Sequence, residues 1–231
     1  MSATPLIGVI CGARAEAAAL GRLGRDPRLM VVFSGARPER AEAGARACLM
    51  AGCRALLSLG TAGGLQPGLA AGALLAPGAV LAENGARWVT VPWLVPEGAA
   101  GDLLGSERLA GTPAAKAVLH AATGALALDM ESHRVARVAA EAGLPFGVLR
   151  AVLDPARRAV PPAATVALGP DGQSRAGALA LALMRDPRQI GAMLRLGREF
   201  SAARAALSRA AAAVLPQALE RLAAGQDLEP Q

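Results

Sequence analysis

Ala125-Leu-Ala-Leu-Asp-Met-Glu-Ser132 limits the possible folds of this chain more than any other stretch. An apolar run ends in two acids, and a helical pattern begins at once with His133-Arg-Val-Ala-Arg-Val-Ala-Ala-Glu-Ala142. A short apolar run of this kind reads as a buried strand that stops at its carboxyl end and hands over to a helix. In α/β sheets those carboxyl ends border the ligand crevice. Glu131 is placed to face a ligand there. A plainer reading stands beside it: an acid in a first helical turn favours the helix dipole, and Asp129 or Ser132 can cap the helix.

The same unit recurs. Leu6-Ile-Gly-Val-Ile-Cys11 reads as a buried strand, followed by Gly12-Ala-Arg-Ala-Glu16 and a helical pattern through Leu20 and Leu23. Strand, glycine, helix is the geometry that offers backbone N–H groups to an anion, although one glycine is far from a phosphate-binding fingerprint. Leu29 to Ser34 is a second strand, with Arg37 and Arg40 at the turn into a helix from about Glu39 to Met50. Ala55 to Leu59 runs into Gly60-Thr-Ala-Gly-Gly-Leu65, where glycines permit close backbone approach to a ligand or simply make a sharp turn. Phe146 to Leu153 stops at Asp154-Pro155. Strand ends thus carry Glu16, Thr61, Glu131 and Asp154. Their recurrence along one sheet edge points to a catalytic cleft.

Between these units, Pro77 to Ala82 and Ala86 to Val91 pair as a hairpin around Asn84-Gly85. Pro92 to Gly111 reads as one long loop, and Thr112-Pro113 opens a helix that ends near Gly124. From Arg175 the chain turns to alanine, leucine and arginine. Leu196, Phe200, Ala203, Leu207, Ala211 and Val214 form one apolar stripe among arginines. Such a helix packs on its own domain or lies on an anionic membrane. Gln226 to Gln231 reads as frayed.

At 231 residues and 53% hydrophobic content, the chain suits one large α/β domain and excludes global disorder. No apolar run is long enough for a membrane span, and the start lacks a basic region before its apolar run, so a cytoplasmic protein without a secretory signal is expected. The net charge of +6 favours anionic partners. With 2% aromatics and no tyrosine, stacking platforms for nucleic acid are missing, which argues against that partner. Three cysteines without a C-x-x-C pair and two histidines argue against disulfides and a metal centre. Among 24 basic residues Lys116 is the sole lysine.

Gly60-Thr-Ala-Gly-Gly-Leu65, Leu128-Asp-Met-Glu-Ser132 and Leu149-Arg-Ala-Val-Leu-Asp-Pro155, in this order, resemble the superfamily of purine nucleoside phosphorylases and methylthioadenosine/adenosylhomocysteine nucleosidases. The resemblance covers roughly residues 6 to 160. Asp-Met-Glu-Ser-His133, Leu-Pro-Phe146 and the arginine-rich tail are most similar to the hopanoid-associated phosphorylases, thought to remove adenine from adenosylhopane.

The resemblance implies a three-layer α/β/α sandwich around a central mixed sheet, with residues 1–174 as the catalytic domain and 175–231 as a helical extension packed on it. It implies that Met130 and Glu131 bind the ribose and that Asp154 protonates the purine N7. Glu16 would activate water. Gly12, Arg14, Arg37, Thr61, Ala62 and Gly63 would hold the nucleophile, phosphate or water. Inorganic phosphate is the candidate co-substrate and no cofactor is expected.

The chain departs from the family pattern in three places. Leu153 replaces the serine that nucleosidases place before the aspartate. Ser58-Leu59 stands where hexameric phosphorylases carry a phosphate-binding arginine; Arg14, Arg37 or Arg40 would have to replace it, or hydrolysis takes over. Near Leu109 no aromatic is available to stack on the base, so aliphatic packing would hold it, which suits a large apolar 5′ group. A homo-oligomer is implied, and peripheral contact with the inner membrane stays open. So does a binding protein that kept the fold and lost the chemistry.

Overall fold

The opening strand β1 (Ile7–Cys11) is buried at every position, as a run of β-branched and small residues inside a parallel sheet must be. The computed structural model describes residues 6–91, 98–169 and 171–226. β1 lies between β2 (Leu29–Phe33) and β3 (Ala55–Gly64), parallel to both. β3 continues through the glycine run, for which the sequence leaves a ligand approach and a sharp turn both open, because its far end finds partners on both sides. It pairs in parallel with β8 (Phe146–Asp154) and, at Gly63 and Gly64, antiparallel with β7 (Ala127–Asp129).

The sheet then closes on itself. β8 meets β4 (Leu74–Ala82), β4 meets β6 (Ala99–Gly105), and β6 meets β7, which returns to β3. β5 (Arg87–Val89) hangs outside this ring as the second arm of the expected hairpin. β6 corrects the single-loop reading of Pro92 to Gly111. Ala-Ala-Gly-Asp-Leu-Leu-Gly has little β propensity, but neighbours on both sides satisfy its backbone, and pairing overrides propensity. Residues 92–97 of that stretch lie outside the described residues.

Helices cover the sheet on two sides. α2 (Pro38–Met50) and α4 (Ser132–Glu141) pack on one side, where Ala41, Ala45 and Cys48 meet Val135, Ala136 and Ala139 in one buried cluster. On the other side lies α7 (Ile190–Ala223), which buries Ala203, Leu207, Ala211, Leu215 and Leu219 against Val9, Leu57 and Leu149. The apolar stripe expected from Leu196 onward is seated only from Ala203; Leu196 and Phe200 are half-buried. α6 (Ala176–Arg185) buries no residue fully. α5 (Pro162–Val166) connects β8 to it. α3 (Pro113–Thr123) has the expected ends: Thr112 accepts from the Ala115 N–H, Pro113 takes the first position, and Gly124 is left-handed at φ 67°.

Candidate active site

The regular helix expected after Gly12 is a single turn, α1 (Arg14–Ala17), followed by a 3-10 segment broken at Gly21 with φ 53°. The N–H groups at its start are already engaged. Ala13 donates to Glu16 Oε2 at 2.9 Å and Arg14 donates to the Gly172 carbonyl at 2.9 Å. The other Glu16 oxygen, Oε1, accepts both the N–H and the hydroxyl of Thr61 at 2.7 Å. Glu16 and the glycine segment of β3 are thereby locked together.

The acids after β7 divide their work. Asp129 caps: its Oδ1 accepts from the N–H groups of Glu131 and Ser132 at 3.3 and 3.1 Å. That leaves the Glu131 side chain free to turn toward Gly12 and β3. Its Oε1 accepts from the Ser34 hydroxyl at 3.2 Å and its Oε2 from Arg150 at 2.9 Å. Burial pushes the Glu131 carboxyl up to about 7; Arg150 opposes the rise, and Asp129 and Glu16 add to it.

Arg150 is the centre of the cluster, and the sequence reading passed over it. It lies wholly buried on β8. It donates to Ser58 Oγ at 2.7 Å and to the Thr61 carbonyl at 3.1 Å, and pairs with Asp129 at 2.7 Å. Burial works against its charge, but Asp129, Glu131 and Glu16 hold the proton firmly. Its sequence signal was a lone cation within an apolar strand. The position near Ser58 and Leu59 that lacks an arginine in β3 therefore receives one from β8.

Asp154 ends β8 beside Gly63, and its neighbour Leu153 is the extra residue of a bulge there. Among the described residues no serine orients it. Instead the fully buried Lys116 of α3 pairs with its carboxylate. Burial raises the Asp154 proton affinity and Lys116 offsets part of that rise. Lys116 was also missed, although its being the sole lysine was a signal in plain view.

Glycines make room for these side chains. A side chain at Gly12 would meet Glu131 Oε1 at 2.8 Å, and one at Gly60 would meet the Arg150 guanidinium and, at 2.9 Å, Glu16 Oε2. One at Gly63 would lie 3.4 Å from Asp154 Oδ2. Glu16 and Asp154 thus border the four residues Gly60–Gly63 and Glu131 joins them through Arg150, with 6%, 6% and 3% of their surfaces exposed. Ala62 is buried within that segment and Met130 is half-buried beside Glu131.

Three expected residues stand apart from the cluster. Arg14 stacks its guanidinium on Phe33 at 4.6 Å, Arg37 is exposed at the start of α2, and Leu109 is exposed beyond β6. Two surface cavities lie near the centre. One of about 410 Å³ is lined by Glu83, Trp88, Glu107 and His133, and one of about 370 Å³ by Leu69, Pro155 and Arg158. Neither has Glu16, Glu131 or Asp154 in its wall. Among the described residues no group of three or more His, Cys, Asp or Glu side chains is arranged to hold a metal ion.

Residues 103–185 match the family model of the phosphorylase superfamily. That segment carries Lys116, Glu131, Arg150 and Asp154. No curated protein sequence is significantly similar to the chain. Solved structures show the same fold over nearly the whole length. Helicobacter pylori 5′-methylthioadenosine/S-adenosylhomocysteine nucleosidase, complexed with a substituted pyrrolidin-3-ol, superposes with a TM-score of 0.68 at 14% identity, covering 93% of this chain and 99% of its own. Futalosine hydrolase from Helicobacter pylori gives 0.68 at 14%, covering 93% and 98%. The Neisseria meningitidis nucleosidase with methylthio-immucillin-A gives 0.64 at 16%, covering 89% and 97%. The chain therefore shares the fold of these nucleosidases, a mixed sheet flanked by helices in one domain.

Proposed function

We propose that this protein is an enzyme that cleaves the N-glycosidic bond of an adenine nucleoside with an apolar 5′ substituent, releasing adenine. The observation that carries the reading is that Glu16 and Asp154 contact Gly60–Gly63 while Glu131 is tied to the same segment through Arg150, which donates to the Thr61 carbonyl. Phosphorylase-superfamily similarity over residues 103–185 and the nucleosidase-like fold support it.

In this reading Glu131 accepts from the ribose hydroxyls while Met130 packs on the sugar. Asp154 gives its proton to the purine N7 as the C1′–N9 bond breaks, the bond pair leaves with the base, and Asp154 is left as a carboxylate. A nucleophile then forms the new C1′–O bond. General acid help of this kind is typically worth about 10²–10⁴-fold. It needs a carboxyl that keeps its proton near neutrality, which burial favours at Asp154.

Phosphate is the nucleophile expected from the hopanoid-associated resemblance, with an adenosylhopane-like substrate and a place in hopanoid biosynthesis. The charge around Arg150 favours water instead: Glu16, Asp129 and Glu131 surround one guanidinium, and a phosphate dianion entering there meets carboxylates. In that version Glu16 takes the proton from water as it attacks. Purified protein given adenosylhopane or methylthioadenosine, each with and without phosphate, decides by adenine release. Release that survives the omission of phosphate supports hydrolysis, and no release from any 5′-modified adenosine overturns the reading. Asp154→Asn is expected to lower release by about 10²–10⁴-fold while nucleoside binding persists.

Two further parts of the reading concern partners. A homo-oligomer is proposed, measurable by light scattering. The exposed apolar face of α6 and the start of α7, set among arginines, is proposed to rest on anionic lipid, which would bring the enzyme to an apolar substrate.

A further inference from the structure

A chain that uses arginine at every other basic position keeps one lysine, and the fold buries it completely at the end of β8. The oxygens around its Nζ explain the choice. Besides the Asp154 carboxylate, Nζ reaches the carbonyls of Asp154 at 3.0 Å, Pro155 at 3.1 Å and Arg158 at 3.0 Å. Four oxygens converge on one point, which suits a compact ammonium and not the planar fork of a guanidinium. The three carbonyls belong to the turn that leaves β8, so one nitrogen fixes both the Asp154 carboxyl and the backbone that presents it. Leu153, where the resemblance leads one to look for a serine, makes no such contact.

We propose that Lys116 is the positioning residue of the acid: its ammonium holds the Asp154 carboxyl beside Gly63 and neutralises the carboxylate that remains once the proton has passed to the leaving base. This role rests on the proposed glycosidic cleavage. Other charges act on Asp154 as well: Glu199 of α7 adds to its proton affinity, and Glu199 itself pairs with Arg158 at 3.6 Å. Lys116 is the cation in contact with Asp154.

One lysine means one side-chain signal in protein labelled with ¹⁵N-lysine. In the folded wild-type chain that ammonium is expected to exchange slowly with water, and Asp154→Asn is expected to displace its resonance and hasten the exchange. An identical signal in both proteins overturns the proposal. The second measurement is the pH profile of adenine release in Lys116→Met and Lys116→Gln, with melting temperature recorded alongside. Without the cation Asp154 keeps its proton to higher pH, so the alkaline limb moves upward, and kcat falls by about 10²-fold or more at little change in KM. A lower melting temperature with the limb unmoved marks a mere staple of the turn and overturns the proposal. Should the wild-type protein cleave no nucleoside, the functional reading fails by itself, while the ¹⁵N signal still reports whether Lys116 and Asp154 act as one unit.

Discussion

Glu131 shows how burial turns a familiar residue into a titrating one at neutral pH. Its carboxyl, pushed up to about 7 by burial, binds a proton more tightly in the folded chain than in the unfolded one. The folded state therefore holds more protons between the ordinary carboxylate range and pH 7, and stability falls as pH rises through that window. Taken alone the shift corresponds to something on the order of 3 kcal/mol. Melting temperatures from pH 5 to pH 8 are expected to decline, and Glu131→Gln is expected to flatten that decline. The strand-end acids were legible in the sequence because an apolar run stopping at a carboxylate is unusual. What holds them was not. Arg150 and Lys116 lie 19 and 38 residues from the acids they pair with, a relation that no local pattern encodes.

Elements were legible in proportion to how far their own residues decide them. β1, α2, α3 and β8 follow from periodicity, caps and apolar runs, and the structure places them within a residue or so of expectation. β6 failed that test because its backbone is specified by β4 and β7 rather than by its own side chains. The glycine end of β3 did so for the same reason. α7 is an intermediate case. Its stripe was visible, yet the helix has two unlike halves, one sealed in the core at Leu207 and one exposed at Leu194 by 60%. Leu207→Ala is expected to cost about 2–5 kcal/mol in denaturant unfolding. Leu194→Ala, with little contact to lose, stays within about 0.5 kcal/mol. Equal losses would mean that the first half of the helix is packed after all.

At the scale of the molecule, charge and exposed apolar surface meet at one place. Leu181, Met184, Ile190 and Leu194 are 44–71% exposed, and Arg185, Arg188, Arg195 and Arg198 stand among them. In a two-fold pair of chains joined through this face, the same arginines would oppose one another; an anionic bilayer instead complements them. No helix among the described residues is long and apolar enough to cross a membrane, so contact there would be peripheral. The protein is expected to float with vesicles containing phosphatidylglycerol, to release them as salt rises and screens the attraction, and to ignore neutral vesicles. Met184→Glu is expected to weaken the association several-fold, and flotation that is indifferent to lipid charge would count against it.

The contacts that assemble the candidate site span 45 residues from Thr61 to Glu16, 92 from Arg150 to Ser58 and 38 from Lys116 to Asp154. No fragment shorter than most of the chain contains them all, and loops of that length close slowly. A nascent polypeptide that lacks β8 is thus expected to leave these side chains unassembled, because Arg150 and Asp154 reach the others only when β8 docks beside β3. The candidate site is complete only with the last strand of the ring.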